Sequence, residues 1–194
     1  MLLYCTKAKP YLVKRSIFVG VEPSYFTLKE NVDDSLNGKI VAECDFEVEN
    51  LKPCMSPIDK RPYAYMTRTL ERWELAENSC LSFEQLDDYL KPNFSGYAIH
   101  IKNLKIFDKP KELSDYVKYN KNDEIVKITK APQNMMYAYE CIGIPMYYEC
   151  HFCGYDEIWN DYILISIQPQ WLCKILNGEK TIEVRKKVLK GMIK

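Results

Sequence analysis

Ile163 to Lys187 reads ILISIQPQWLCKILNGEKTIEVRKK. Tyr162 to Ile167 is the strongest strand signal in the chain, and the strand is expected to end at Gln168. Pro169 suits the first turn of a helix, where its missing N–H is not needed. Trp171, Leu172, Ile175 and Leu176 give that helix one apolar face. Asn177-Gly178 stops it, because both residue types accept a left-handed backbone. Thr181 to Arg185 then alternates: Ile182 and Val184 point to a core, and Thr181, Glu183 and Arg185 share the other face. Two readings of that polar face are open. A cation, an acid and a hydroxyl together make a floor for a small ligand; alone on an exposed strand they make a solvated face with a weak Glu183–Arg185 pair.

Around this unit the pattern is that of an α+β chain. LLYCT, Leu2 to Thr6, predicts a short half-buried strand. Lys7 to Val32 is broken by Pro10, Gly20 and Pro23 and reads as irregular. Asn37-Gly38 signals a turn before a strand over Lys39 to Phe46. Asp59 to Pro62 is a polar connection. Thr67 to Glu77 predicts a helix with Leu70, Trp73 and Ala76 or Glu77 on one stripe. Ser82 caps a second helix over Phe83 to Leu90, with Phe83, Leu86, Tyr89 and Leu90 at helical spacing. Gly96 to Phe107 alternates as a strand, with His100 pointing away from the row of Tyr97, Ile99 and Ile101. Lys109-Pro110 starts a turn, Glu112 to Val117 reads as a short helix, and Lys118 to Glu124 as a polar loop. Met135 to Cys141 predicts a strand, and residues 142–161 read as irregular.

The whole chain has 194 residues, of which 47% are apolar and 28% charged, as suits one globular domain. Lys plus Arg and Asp plus Glu both number 27, so the formal charge is zero. A protein cationic over its whole surface is thereby excluded, and any anion site must be local. The charge is unevenly spread. Residues 180–194 hold six basic side chains and one acid, and residues 1–15 hold four basic side chains and no acid. Joined, those thirty residues carry +9 and the remainder −9. This is the footprint of a local phosphate-binding surface, or of a solvated basic tail.

The run Gly178, Lys180, Thr181, Glu183, Arg185, preceded by SIQPQWLCKILN, resembles the opening motif of the ASCH family. LLYCTKAKPYL (Leu2 to Leu12) is similar to that family's second strand and the loop after it. NGKIVAECDF (Asn37 to Phe46) is similar to its next barrel strand. LSFEQLDDYL, Gly96 to Tyr116 and Ile128 to Glu140 resemble later parts of a bacterial and phage subgroup. The resemblance covers well over half of the chain and implies an α+β, PUA-like β-barrel with flanking short helices. The order differs: the family's first unit stands last here. A circularly permuted single domain over 1–194 is expected, with later family segments in 1–140, a joining loop in 141–161 and the opening motif in 162–194. Permutation predicts that Arg185's strand lies beside Leu2–Thr6. A truncated second copy, or exchange with a neighbouring chain, is the competing arrangement.

The resemblance implies RNA or nucleotide binding. Arg185 would hold a phosphate or base edge through its guanidinium fork, and Lys180 would add a point charge. Lys7, Lys9, Lys186 and Lys187 would line the approach, Glu183 would accept from a base amino group or orient Arg185, Thr181 would belong to the ligand site, and Tyr4 or Trp171 would stack. Small bacterial relatives are amidohydrolases acting on acetylcytidine, and others are ribonucleases. The amidohydrolase resemblance implies Lys180 as the base and a carboxylate as its partner. Those enzymes have Thr where this chain has Glu183, so Thr181 would have to supply the hydroxyl.

Cys150-His151-Phe152-Cys153, with Cys141 nine positions upstream, offers part of a zinc site. A structural zinc usually needs two such pairs, and the second is missing, so reduced thiols and no metal or cofactor are expected. Eight cysteines are too sparse for a disulfide scaffold. No apolar run reaches the roughly 20 residues of a membrane helix. Met1 to Pro10 has no leader pattern, so a cytoplasmic protein is expected.

Overall fold

The computed structural model describes residues 1–6, 36, 38–60, 62–66, 70–141 and 159–192. Among them are nine strands, three α-helices and one 3₁₀ turn. In chain order these are β1 (Leu2–Cys5), β2 (Ile40–Met55), β3 (Pro62–Met66), α1 (Arg72–Ser79), α2 (Phe83–Leu90) and β4 (Gly96–Lys111). The 3₁₀ turn (Leu113–Asp115) follows, then β5 (Val117–Tyr119), β6 (Ile125–Lys127), β7 (Met135–Cys141), β8 (Trp159–Ile167), α3 (Pro169–Leu176) and β9 (Ile182–Arg185). No helix among the described residues is long and apolar enough to cross a membrane.

The strands form one mixed sheet in the order β6-β5-β7-β8-β1-β2-β4-β9, with β3 paired to β2 off this path. β1 is parallel to β8 and antiparallel to β2. β4 pairs with β2 from Gly96 opposite Leu51 to Lys111 opposite Ile40, and with β9 from Tyr97 to His100. Leu3 and Cys5 of β1, Ile163, Ile165 and Ile167 of β8, Ala42 of β2 and Ile99 of β4 meet in one core with Leu172 and Ile175 of α3. Arg185 of β9 donates to the Ser166 carbonyl of β8 although β1, β2 and β4 stand between them in the sheet order, so the sheet wraps around this core. No backbone ladder joins β9 to β8, so the wrapped sheet is open and not a closed barrel.

The other face carries two smaller cores. Leu75 of α1 and Leu86 and Leu90 of α2 pack on Ala98, Ile182 and Val184. Leu2, Tyr4, Ile40, Tyr116 and Leu164 form the second. Ser82 caps α2 as its sequence position predicts, accepting from the Gln85 N–H at 3.2 Å. The first helix starts later than predicted, at Arg72, where Glu71 and Glu74 form a reciprocal capping box. Its buried residues are Leu75, Ala76 and Ser79, whereas Trp73 is exposed. Strand β4 runs through Lys109-Pro110 to Lys111, where a turn was expected; of the loop expected at 118–124, Lys118 and Tyr119 belong to β5 and residues 120–124 form the turn that joins β5 to β6. Residues 7–35 and 142–158 lie outside the described residues, and with them most of the stretches expected to be irregular; Cys141 ends β7 and residues 159–161, also expected in the joining loop, open β8.

Candidate functional site

Among the described residues, strand β9 is the last in the sheet order and is paired only to β4. Residues opposite one another in an antiparallel ladder share a face. Glu183 is opposite Ile99 and Arg185 opposite Tyr97, so both acid and guanidinium project toward the wrapped core that Ile99 helps to fill. Val184, opposite Ala98, projects toward the helices, with Ile182 beside it. The predicted alternation holds, but both faces of β9 are covered. The reading as a solvated strand face is therefore corrected: Glu183 is 8% and Lys180 3% exposed.

Buried charges need partners, and these have them. Lys180 Nζ donates to the Ser79 carbonyl at 2.7 Å and lies 3.3 Å from Glu183 Oε2. It also sits 5.3 Å from the centre of the Trp171 ring, a cation–π distance. Glu183 Oε1 is 2.8 Å from Arg185 Nε, an ion pair rather than an aligned hydrogen bond. Arg185 Nη1 donates to Asn134 Oδ1 at 3.0 Å and Nη2 to the Ser166 carbonyl at 2.8 Å. One carboxylate is thus clamped between two cations, and Arg185 bridges β9 to β8, the two strands that no backbone ladder joins. Burial pushes the Lys180 ammonium below its ordinary value of 10.5, while the Glu183 carboxylate opposes that shift.

Thr181 does not join this network. It precedes the first β9 residue, so the strand's alternation does not govern it. It is exposed, with its hydroxyl 3.0 Å from Asn78 Oδ1 at the end of α1. Tyr4 is also corrected. It sits on the face of β1 opposite Leu3 and Cys5, buried with Leu2, Ile40 and Tyr116, and cannot stack on a ligand beside Arg185. Arg185's strand is not beside Leu2–Thr6: β8 takes that place, and β2 and β4 separate β1 from β9. Lys7, Lys9, Cys150, His151 and Cys153 lie outside the described residues, as does the side chain of Cys141. No metal-ligating cluster occurs among the described residues.

Beyond β9 the chain is basic and exposed at Lys186, Lys187 and Lys190. Lys186 Nζ donates to the Lys91 carbonyl at 2.9 Å and sits 5.5 Å from the Tyr89 ring centre. Asn134 Nδ2 donates to the Lys187 carbonyl at 3.1 Å, and the Tyr137 hydroxyl donates to the Lys190 carbonyl. These bonds hold the tail along the start of β7, with Lys187 and Lys190 exposed. Among the described residues, no acid pairs with Lys186, Lys187 or Lys190. Sequence reading missed Asn134, Tyr89 and Tyr137. All three are far from the motif in the chain and carry no local signal; Asn134 lies 51 residues before Arg185.

Comparison with protein-family models, with curated proteins and with solved structures finds no match to this chain.

Proposed function

We propose that this protein binds single-stranded RNA or a nucleotide through the basic surface after β9, and that it is an ASCH-type, PUA-like domain in permuted order. One observation carries the binding reading: Lys186, Lys187 and Lys190 are exposed and free of acid partners among the described residues, next to the half-exposed rings of Tyr89 and Tyr137. Cations interleaved with aromatic faces suit a phosphate backbone and its bases. Arg185 would set the position of this surface rather than hold the ligand alone, since Glu183, Asn134 and Ser166 already engage it. The permuted reading draws support from β1 pairing with β8, the first strand of the motif unit, while the predicted placement of Arg185's strand beside β1 does not hold.

Fluorescence anisotropy of a labelled single-stranded RNA oligomer tests the reading. Affinity should fall steeply with salt, with a slope of about 0.7 per phosphate contact. Binding that is absent, or indifferent to salt, overturns it.

A second reading, hydrolysis of an acylated nucleoside such as acetylcytidine, is favoured by the buried Lys180 and its carboxylate at 3.3 Å. Against it stands Thr181, whose hydroxyl is engaged by Asn78 and not by Lys180. Turnover of acetylcytidine above a Lys180→Ala control would establish it; equal rates would reject it.

A further inference from the structure

Beside the basic tail, a cleft of about 270 Å³ is lined by Phe46, Tyr137, Tyr139, Tyr162 and Asp161, among others. Pockets for drug-sized molecules run to about 300–1,000 Å³, so this one suits a single ring system. Two of its rings are held in place. The Tyr137 hydroxyl is tied to the Lys190 carbonyl, whereas the Tyr162 ring packs on the other face of β8 against Tyr116. Tyr139 stands edge-on to Tyr119 at 5.2 Å between centres. Walls that are already fixed lose little freedom when a flat ligand enters. Asp161 is exposed at the rim, and no cation pairs with it among the described residues.

We propose that this cleft is a nucleobase subsite that selects bases bearing an exocyclic amine; this rests on the binding function proposed above. The aromatic walls would stack the base, and the Asp161 carboxylate would accept from its amine. A base with a carbonyl at the same position would turn oxygen toward carboxylate and be repelled. The orientation of the nucleotide follows from the surrounding charge. On one side the cleft adjoins a second hollow of about 600 Å³ lined by Glu43, Asp45 and Asp161 together with Lys105, which pairs with Glu43, and Met1, whose amino group donates to the Cys44 carbonyl; acids outnumber cations there, which disfavours phosphate. On the other, Tyr137 connects the cleft to the tail that bears Lys187 and Lys190. The base therefore enters the cleft with its phosphate toward those lysines.

Isothermal titration with two matched pairs of 5′-monophosphates tests this: adenosine against inosine, and cytidine against uridine. Each pair differs in amine against carbonyl. The amine-bearing member should bind about tenfold more tightly, as a hydrogen bond to a charged acceptor allows. Asp161→Asn should shrink both ratios to within about twofold, while Lys187→Ala with Lys190→Ala should weaken all four ligands alike. Equal binding within each pair, or ratios unchanged by Asp161→Asn, would overturn the subsite. If oligomeric RNA binds with steep salt dependence and the monophosphates show no preference, the subsite fails and the broader binding reading stands. If neither oligomer nor monophosphate binds, the broader reading fails and the subsite with it.

Discussion

Along β4, Lys102 and Lys105 meet Glu47 and Glu43 of β2 at 2.7 and 2.8 Å, and Lys111 meets Glu140 at 2.6 Å. Beyond β9, Lys186, Lys187 and Lys190 follow within five residues, and among the described residues no acid faces them. Both regions are exposed and lysine-rich, yet they differ in what the fold places opposite each cation. On β4 the ladder register brings glutamates across, as with Glu43 opposite Lys105, so the charge is spent within the sheet. After β9 no partner strand among the described residues delivers an acid. Unpaired like charges raise the local potential and attract an anion from outside. Between these extremes lies the Lys180–Glu183–Arg185 network, where the cations are paired but buried. Its pairing holds the last strand to the rest of the sheet.

The largest effect should come from breaking the buried network. Glu183→Ala leaves the Lys180 and Arg185 charges without their shared acid and should cost about 3–5 kcal/mol in denaturant unfolding. A loss below about 1 kcal/mol would place this network in the same class as the surface pairs. Next comes Gly96→Ala. A Cβ at Gly96 would stand 2.8 Å from the Arg185 carbonyl and 2.7 Å from Leu90 Cδ2, so β9 or α2 must shift. A loss of about 1–3 kcal/mol is expected, with weakened amide protection in β9.

The burial of Lys180 also has a pH signature. With its folded value depressed, Lys180 binds fewer protons folded than unfolded, so it adds stability as pH rises toward its ordinary 10.5. Wild-type unfolding free energy should therefore rise, relative to Lys180→Met, between neutral pH and that value. A difference that falls with pH would show that pairing with Glu183 outweighs burial. The smallest effect belongs to the ladder: Glu43→Ala, which frees Lys105, should change stability by less than about 1 kcal/mol.

Elements whose cause is local were legible in the sequence. Pro169 and Asn177-Gly178 bracket α3, Ser82 opens α2, and alternation identifies β9 and the sides its residues take. What was not legible depends on which strand becomes whose neighbour. Alternation told that Glu183 and Ile182 point opposite ways. It could not tell that α1 and α2 cover one side while the wrapped sheet encloses the other, so a face read as solvated is buried. Tyr4 was misplaced for the same reason, since a strand with both faces covered offers two interiors. The continuation of β4 past Pro110 is a further case, because Pro110 lies near the strand's end, between its pairings with Ile40 and Ala42.

The central contrast can be tested by removing the same charge from each region. The dependence of RNA affinity on salt should be measured for the wild type, for Lys187→Ala with Lys190→Ala, and for Lys102→Ala with Lys105→Ala. If the unpaired lysines are the contact surface, the first double variant lowers the log–log salt slope by about 1.4 and the second leaves it unchanged. Equal reductions in both variants, or a slope untouched by the loss of Lys187 and Lys190, would contradict the assignment of binding to the segment after β9.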